Sequence, residues 1–164
     1  MSDVRPGKRF AFAGGILLTV TVALAVGSVP AAATTKCTAG MTKFGGVPAR
    51  VFCGSARATV HIASKSFTFK GGTCEKTSSS TTVNIGEVVL GVVTKPKPEY
   101  FGLTVGPAAG KDGTYHTAVV AVVHAGKGYP LRADATVTLK HGRSRGTFKA
   151  TSLLGGSIRG SFRC

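Results

Sequence analysis

Four histidines, His61, His116, His124 and His141, and five carboxylates, Glu75, Glu87, Glu99, Asp112 and Asp134, are the residues beyond the N-terminal region that could move protons or hold a metal. General acid–base work needs two such groups within hydrogen-bond reach, and a metal needs several converging donors. No histidine here has an acidic or second histidine partner at chelating spacing. His116 and His124 have the same strand parity, but eight residues of extended chain separate them by about 26 Å. The Gly-x-Ser-x-Gly nucleophile pattern does not occur, and Gly155-Gly156-Ser157 reads as a hairpin turn. The chain is read as non-enzymatic, with no catalytic residue, metal or cofactor. The competing enzyme hypothesis requires a pocket that gathers His116 or His124 beside a carboxylate and a hydroxyl.

Cys37, Cys53, Cys74 and Cys164 offer a different chemistry. Their separations of 16, 21 and 90 residues contain no short chelating pair, so a metal site is a poor reading. In an exported chain four cysteines imply two disulfides, with three pairings open. Cys37–Cys53 with Cys74–Cys164 is preferred, because the first closes a short N-terminal segment and the second ties the last residue to the middle of the domain. Loop entropy assigns about 3 kcal/mol to the first and about 4–5 kcal/mol to the second. Lipidation of Cys37 is disfavoured, since Lys36 stands where that chemistry needs a small uncharged residue.

The third feature is charge: 21 Lys and Arg against 6 Asp and Glu. Lys140, His141, Arg143 and Arg145 crowd one hairpin tip, and Lys149, Arg159 and Arg163 continue on the outward positions of the strands that follow. Thr136, Thr138, Thr147 and Thr151 are interspersed. Like charges on neighbouring strands repel unless solvent, spacers or an anion separates them. The candidate anion-binding set is therefore Lys140, Arg143, Arg145, Lys149, Arg159 and Arg163, and its partners would be anionic cell-wall polymers or lipid headgroups. The plainer reading is a soluble basic protein whose charges discourage edge pairing. Specific nucleic-acid binding is disfavoured, because no exposed aromatic series interleaves with the basic residues.

These groups must be carried by the elements around them. Arg5, Lys8 and Arg9, the apolar run from Phe10 to Val29, and Ala31-Ala32-Ala33 form an export leader with cleavage after Ala31 or Ala33. Lys8-Arg9 is not a twin-arginine pair, so the general export route is favoured. An uncleaved membrane anchor is the alternative, since about 20 apolar residues span a bilayer. With cleavage, the membrane is met only in transit. Without Asp3, Arg5, Lys8 and Arg9 the 21 basic and 6 acidic residues fall to 18 and 5, a net charge of +13.

Downstream the hydrophobic period is two. Leu131, Ala133, Ala135, Val137 and Leu139 alternate with polar residues, as do Phe148 and Ala150, and then Ile158, Phe162 and Cys164. The pattern predicts three consecutive antiparallel strands joined at His141–Ser144 and Leu154–Gly156. Earlier strands are expected at 58–62, 67–69, 81–85, 88–93, 100–105 and 115–124, with a Ser64-Lys65 turn. Residues 118–123 are apolar on both faces, as in a central strand covered on each side. Eight or nine short strands with this punctuation predict an all-β, antiparallel β-sandwich preceded by a signal-peptide helix. The domains are 1–33 leader, 34–56 cysteine-containing segment and 57–164 sandwich.

ATVHIASKSFTF from Ala58 to Phe69, then Thr73-Cys74, Thr81-Thr82-Val83-Asn84-Ile85-Gly86 and a final Phe162-x-Cys164, resembles the LpqH-type secreted lipoproteins of mycobacteria and their relatives. The resemblance implies a β-sandwich, a Cys74–Cys164 disulfide, an envelope-associated role and no catalytic site. The leader here lacks the lipidation cysteine, and the Cys37–Cys53 segment is additional. The expected protein is thus secreted or at the cell surface, with a binding or structural role. A carrier of an apolar small molecule between two sheets is the further alternative.

Overall fold

The computed structural model describes residues 36–129, 131, 134–153 and 155–164. The leader and its expected helix lie outside the described residues. The strands are β1 (Gly40–Phe44), β2 (Val47–Phe52), β3 (Ala56–Ile62), β4 (Lys65–Lys76), β5 (Thr81–Val89), β6 (Tyr100–Val105), β7 (Gly113–His124), β8 (Lys127–Tyr129), β9 (Ala135–Lys140), β10 (Arg145–Thr151) and β11 (Ser157–Arg163). All pairings are antiparallel.

Eight strands close on themselves: β3, β4, β5, β6, β7, β9, β10 and β11 pair in that order, and β11 returns to β3. This is an up-and-down barrel, whereas two stacked sheets were expected. The inward alternation of Val, Leu and Phe is the same in both architectures. What decides between them is that β5 pairs with both β4 and β6, leaving no break at which one sheet could end. Closure also removes the open edges that a sandwich leaves.

The expected strand 81–85 continues through a turn at Gly86 to Val89 as one element, and of the expected strand 88–93 only Val88 and Val89 belong to it. At Gly86 φ is +89°, and an added Cβ would strike the Glu99 carbonyl. Before Gly86 the strand pairs with β4 and β6; beyond it β5 leaves the barrel and pairs with β2. The expected strand from Leu131 begins only at Ala135, with Leu131 making an isolated bridge to Ser152. The β3–β4 turn is Ala63-Ser64, one residue earlier than expected. The segment 34–56 includes the β1–β2 hairpin, and Cys37 is bonded to Cys53 just beyond it. Cys74 is bonded to Cys164, as preferred.

The interior is a packed core. Phe69, Phe101 and Phe148 form a spine with ring centroids 6.0 and 5.4 Å apart. Large and small residues are matched across strands: Phe148 is opposite Gly160, and Phe162 is opposite Gly146. A Cβ on Gly160 would sit 2.5 Å from the Phe148 ring, and one on Gly146 would sit 2.5 Å from the Phe162 ring. The two glycines provide the room in which the rings lie. Residues 118–123 are covered on one side only: Ala118, Val120 and Val122 are buried, while Val119 is 53% exposed. The barrel is apolar inside with Thr, Ser, Lys and Arg on much of its outer surface, the reverse of a membrane-spanning barrel.

Candidate anion-binding face

Closure of the barrel through β11 and β3 lays five adjacent strands, β9, β10, β11, β3 and β4, side by side. Their register aligns the outward residues into rows. Lys140 is opposite Arg145, Arg145 opposite Arg163, Arg163 opposite Arg57, and Arg57 opposite Lys70. All five side chains are exposed. At about 4.8 Å per strand this basic row runs roughly 19 Å around the barrel.

Two residues along the strands, about 7 Å away, the row is Thr138, Thr147, Ser161, Thr59 and Thr68. Two residues further it is Thr136, Lys149, Arg159, His61 and Ser66. Hydroxyls thus lie between two basic rows. Apart from Thr138, the residues of the first two rows line a groove of about 480 Å³, and Ala58, His141, Gly146 and Phe162 complete its lining. Among the described residues the only ion pair is His124–Glu99, so no carboxylate neutralises either row.

Of the six residues proposed from sequence, Lys140, Arg145 and Arg163 line the groove, and Lys149 and Arg159 form the third row. Arg143 does not join them. His141, Gly142 and Arg143 all have positive φ, of 56°, 63° and 61°. This turn sends the Arg143 side chain to the barrel end. There its Nη1 lies 2.7 Å from Thr77 O, 3.0 Å from Ser80 O, 3.1 Å from Ala109 O and 3.4 Å from Thr81 Oγ1. Asp112 holds the turn by accepting from Gly142 N at 3.0 Å and Arg143 N at 2.7 Å. Those N–H groups keep the Asp112 carboxyl below the ordinary carboxylate range. Arg143 therefore binds backbone carbonyls, which a reading of charge density could not distinguish from an exposed cation.

Sequence reasoning missed Arg57 and Lys70. Their outward parity was visible in the alternation of ARATVHI and KSFTFK. Their membership of the face was not, because it depends on a pairing between strands about 100 residues apart.

The histidines are placed as follows. His116 Nδ1 is 3.1 Å from Thr136 Oγ1 on the barrel surface. His124 Nδ1 is 2.8 Å from Glu99 Oε2, an acidic partner that the sequence spacing did not suggest. The other Glu99 oxygen accepts from Ala125 N at 2.7 Å, and the His124 ring stacks on Phe67 at 4.1 Å. The pair clamps the β7–β8 turn to the segment preceding β6. Nearby Glu87 is held above its ordinary value, first by burial and also by the neighbouring Glu99 charge. Among the described residues no group of three or more His, Cys, Asp or Glu side chains could hold a metal.

Compared with protein-family models, curated proteins and solved structures, the chain matches none.

Proposed function

We propose that the chain is an exported, non-enzymatic binding protein that associates with anionic components of the cell envelope through the face formed by β9, β10, β11, β3 and β4. The observation that carries this reading is the unneutralised row Lys140, Arg145, Arg163, Arg57 and Lys70, aligned by register. Strand pairing brings these like charges together at a cost that an anionic ligand would offset. The two disulfides are consistent with an oxidising, extracellular setting, and the export leader and the LpqH-type resemblance both favour the envelope. The carrier alternative is weakened by the Phe69, Phe101 and Phe148 spine, which fills the space a small apolar ligand would need.

The test is sedimentation of the oxidised protein with purified anionic cell wall, and separately with anionic lipid vesicles, at rising salt. Retention should fall steeply with salt and be largely lost when Arg57, Lys70, Arg145 and Arg163 are changed together to Gln. Retention indifferent to salt, or equal in the quadruple variant, overturns the reading.

A further inference from the structure

The face differs from a general cationic surface in its middle row. Thr147, Ser161, Thr59 and Thr68 are consecutive across β10, β11, β3 and β4, and all four line the groove. None of these four hydroxyls bonds to another protein group among the described residues. Elsewhere many hydroxyls are engaged: Thr77 with Ser80, Thr81 with Ala109, Thr114 with Thr138, and Thr136 with His116. Four neighbouring unoccupied hydroxyls beside three consecutive guanidinium groups make a two-sided array of donors.

We propose that this groove holds the tetrahedral oxyanion esters of a linear, non-aromatic polymer, phosphate or sulfate in kind, with the chain running along the basic row and therefore across the strands. The inference rests on the anion-binding reading above and specifies its ligand. A planar carboxylate that fills a guanidinium fork presents both of its oxygens in the plane of that fork. A tetrahedral ester group has oxygens out of that plane. It accepts from Arg145, Arg163 or Arg57 on one side and from the hydroxyl row on the other. The length of the array fits a repeating ligand better than a single ion, because the basic row extends roughly 19 Å.

The outward positions on these strands are Lys, Arg, Thr, Ser and His61, with no Phe or Tyr among the three rows. The aromatic side chains Phe148, Phe162 and Phe69 all point into the core. A single-stranded nucleic acid would find charge but no stacking platform, so a non-aromatic backbone is favoured.

The experiment measures binding of the purified protein, with both disulfides formed, to four probes of matched charge at several salt concentrations. They are poly(glycerol phosphate), dextran sulfate, poly-glutamate and poly(dT). Either or both of the first two should bind at least tenfold more tightly than poly-glutamate and no more weakly than poly(dT), whose phosphodiesters meet the same donors but whose bases find no stacking platform, and the tighter of them identifies the ester. If five charges are engaged, the logarithm of the binding constant should fall with the logarithm of salt at a slope of about −3.5. Thr147→Val and Ser161→Ala, which leave net charge unchanged, should each weaken ester binding about fivefold and leave poly-glutamate binding unchanged. Lys43→Gln, on β1 away from the face, should leave ester binding nearly unchanged. Thermal unfolding of each variant verifies that it is folded.

Poly-glutamate binding as tight as the esters, or hydroxyl variants equal to the parent, overturns this proposal while leaving the broader anion-binding reading intact. Tighter binding of poly(dT) than of both esters also overturns it. Failure of all four probes to bind overturns both.

Discussion

Replacing Arg143 with Met separates a cation that holds the fold together from those available to a ligand. The Arg143 Nη1 carries two hydrogens and faces four acceptors, so the four distances describe two strong bonds to carbonyls, shared with two weaker ones. Ser80 O and Ala109 O retain other donors, from Thr77 N and Thr81 Oγ1. Thr77 O, at 2.7 Å, has its closest donor in Arg143. Hydrogen bonds from a charged donor contribute about 1.5–3 kcal/mol each, so two of them amount to about 3–6 kcal/mol, with the lower end favoured at this partly exposed site. Methionine keeps the stem and the backbone geometry but donates nothing.

Urea unfolding at 25 °C is a direct assay. With a slope of about 1–3 kcal/mol per molar urea, a loss near 3 kcal/mol lowers the midpoint by about 1 M or more. Polymer binding measured on the still-folded variant should remain within twofold of the parent, whereas Arg145→Gln should weaken binding with little change in midpoint. A midpoint shift below about 0.3 M for Arg143→Met, or a binding loss equal to that of Arg145→Gln, refutes the assignment of Arg143 to the barrel end.

Replacing Cys74 and Cys164 together by Ala should cost about 4–5 kcal/mol, against about 3 kcal/mol for Cys37 and Cys53, because the longer loop restrains the unfolded chain more; chemical unfolding of the two double variants checks the order. Gly160→Val, which forces a side chain against the Phe148 ring and the Thr59 carbonyl, should destabilise by at least about 1–3 kcal/mol, read as a lowered urea midpoint. Because the Asp112 carboxyl is held below its ordinary range by the Gly142 and Arg143 N–H groups, its contribution is present above the unfolded value and is lost as pH falls through the lowered one. The parent should therefore lose stability on acidification through and below the carboxylate range, by more than Asp112→Asn does, as measured by thermal unfolding across a pH series.

Local alternation was enough to place β3, β10 and β11, since Val60, Phe148 and Ile158 lie between outward-facing polar residues, whereas β7 was legible only as an apolar run. It could not distinguish a sandwich from a barrel, because both bury every second side chain. That distinction lies in contacts between distant strands, above all β11 with β3. Gly86 was similarly ambiguous: as a breaker it reads as a gap between two strands, and only the approach of Glu99 reveals a bend within one. Arg143 shows the converse problem. Its neighbours Lys140 and Arg145 face solvent, and three successive left-handed residues turn it toward carbonyls supplied by two other loops.

The same long-range closure that escaped the sequence pattern also completes the candidate site. Opening the β11–β3 seam would leave Lys140, Arg145 and Arg163 on one edge and Arg57 and Lys70 on another, with Ser161 and Thr59 no longer adjacent. Cys164, immediately after β11, is bonded to Cys74 on β4, so this disulfide links the two sides of the seam. The covalent link and the basic row therefore depend on one strand pairing. Reduction should loosen both together: polymer affinity measured before and after reduction in the Cys37→Ala/Cys53→Ala background, where only Cys74–Cys164 remains, should fall in parallel with amide-exchange protection of β11 and β3. Affinity that persists while that protection is lost would separate the binding face from the closure of the barrel.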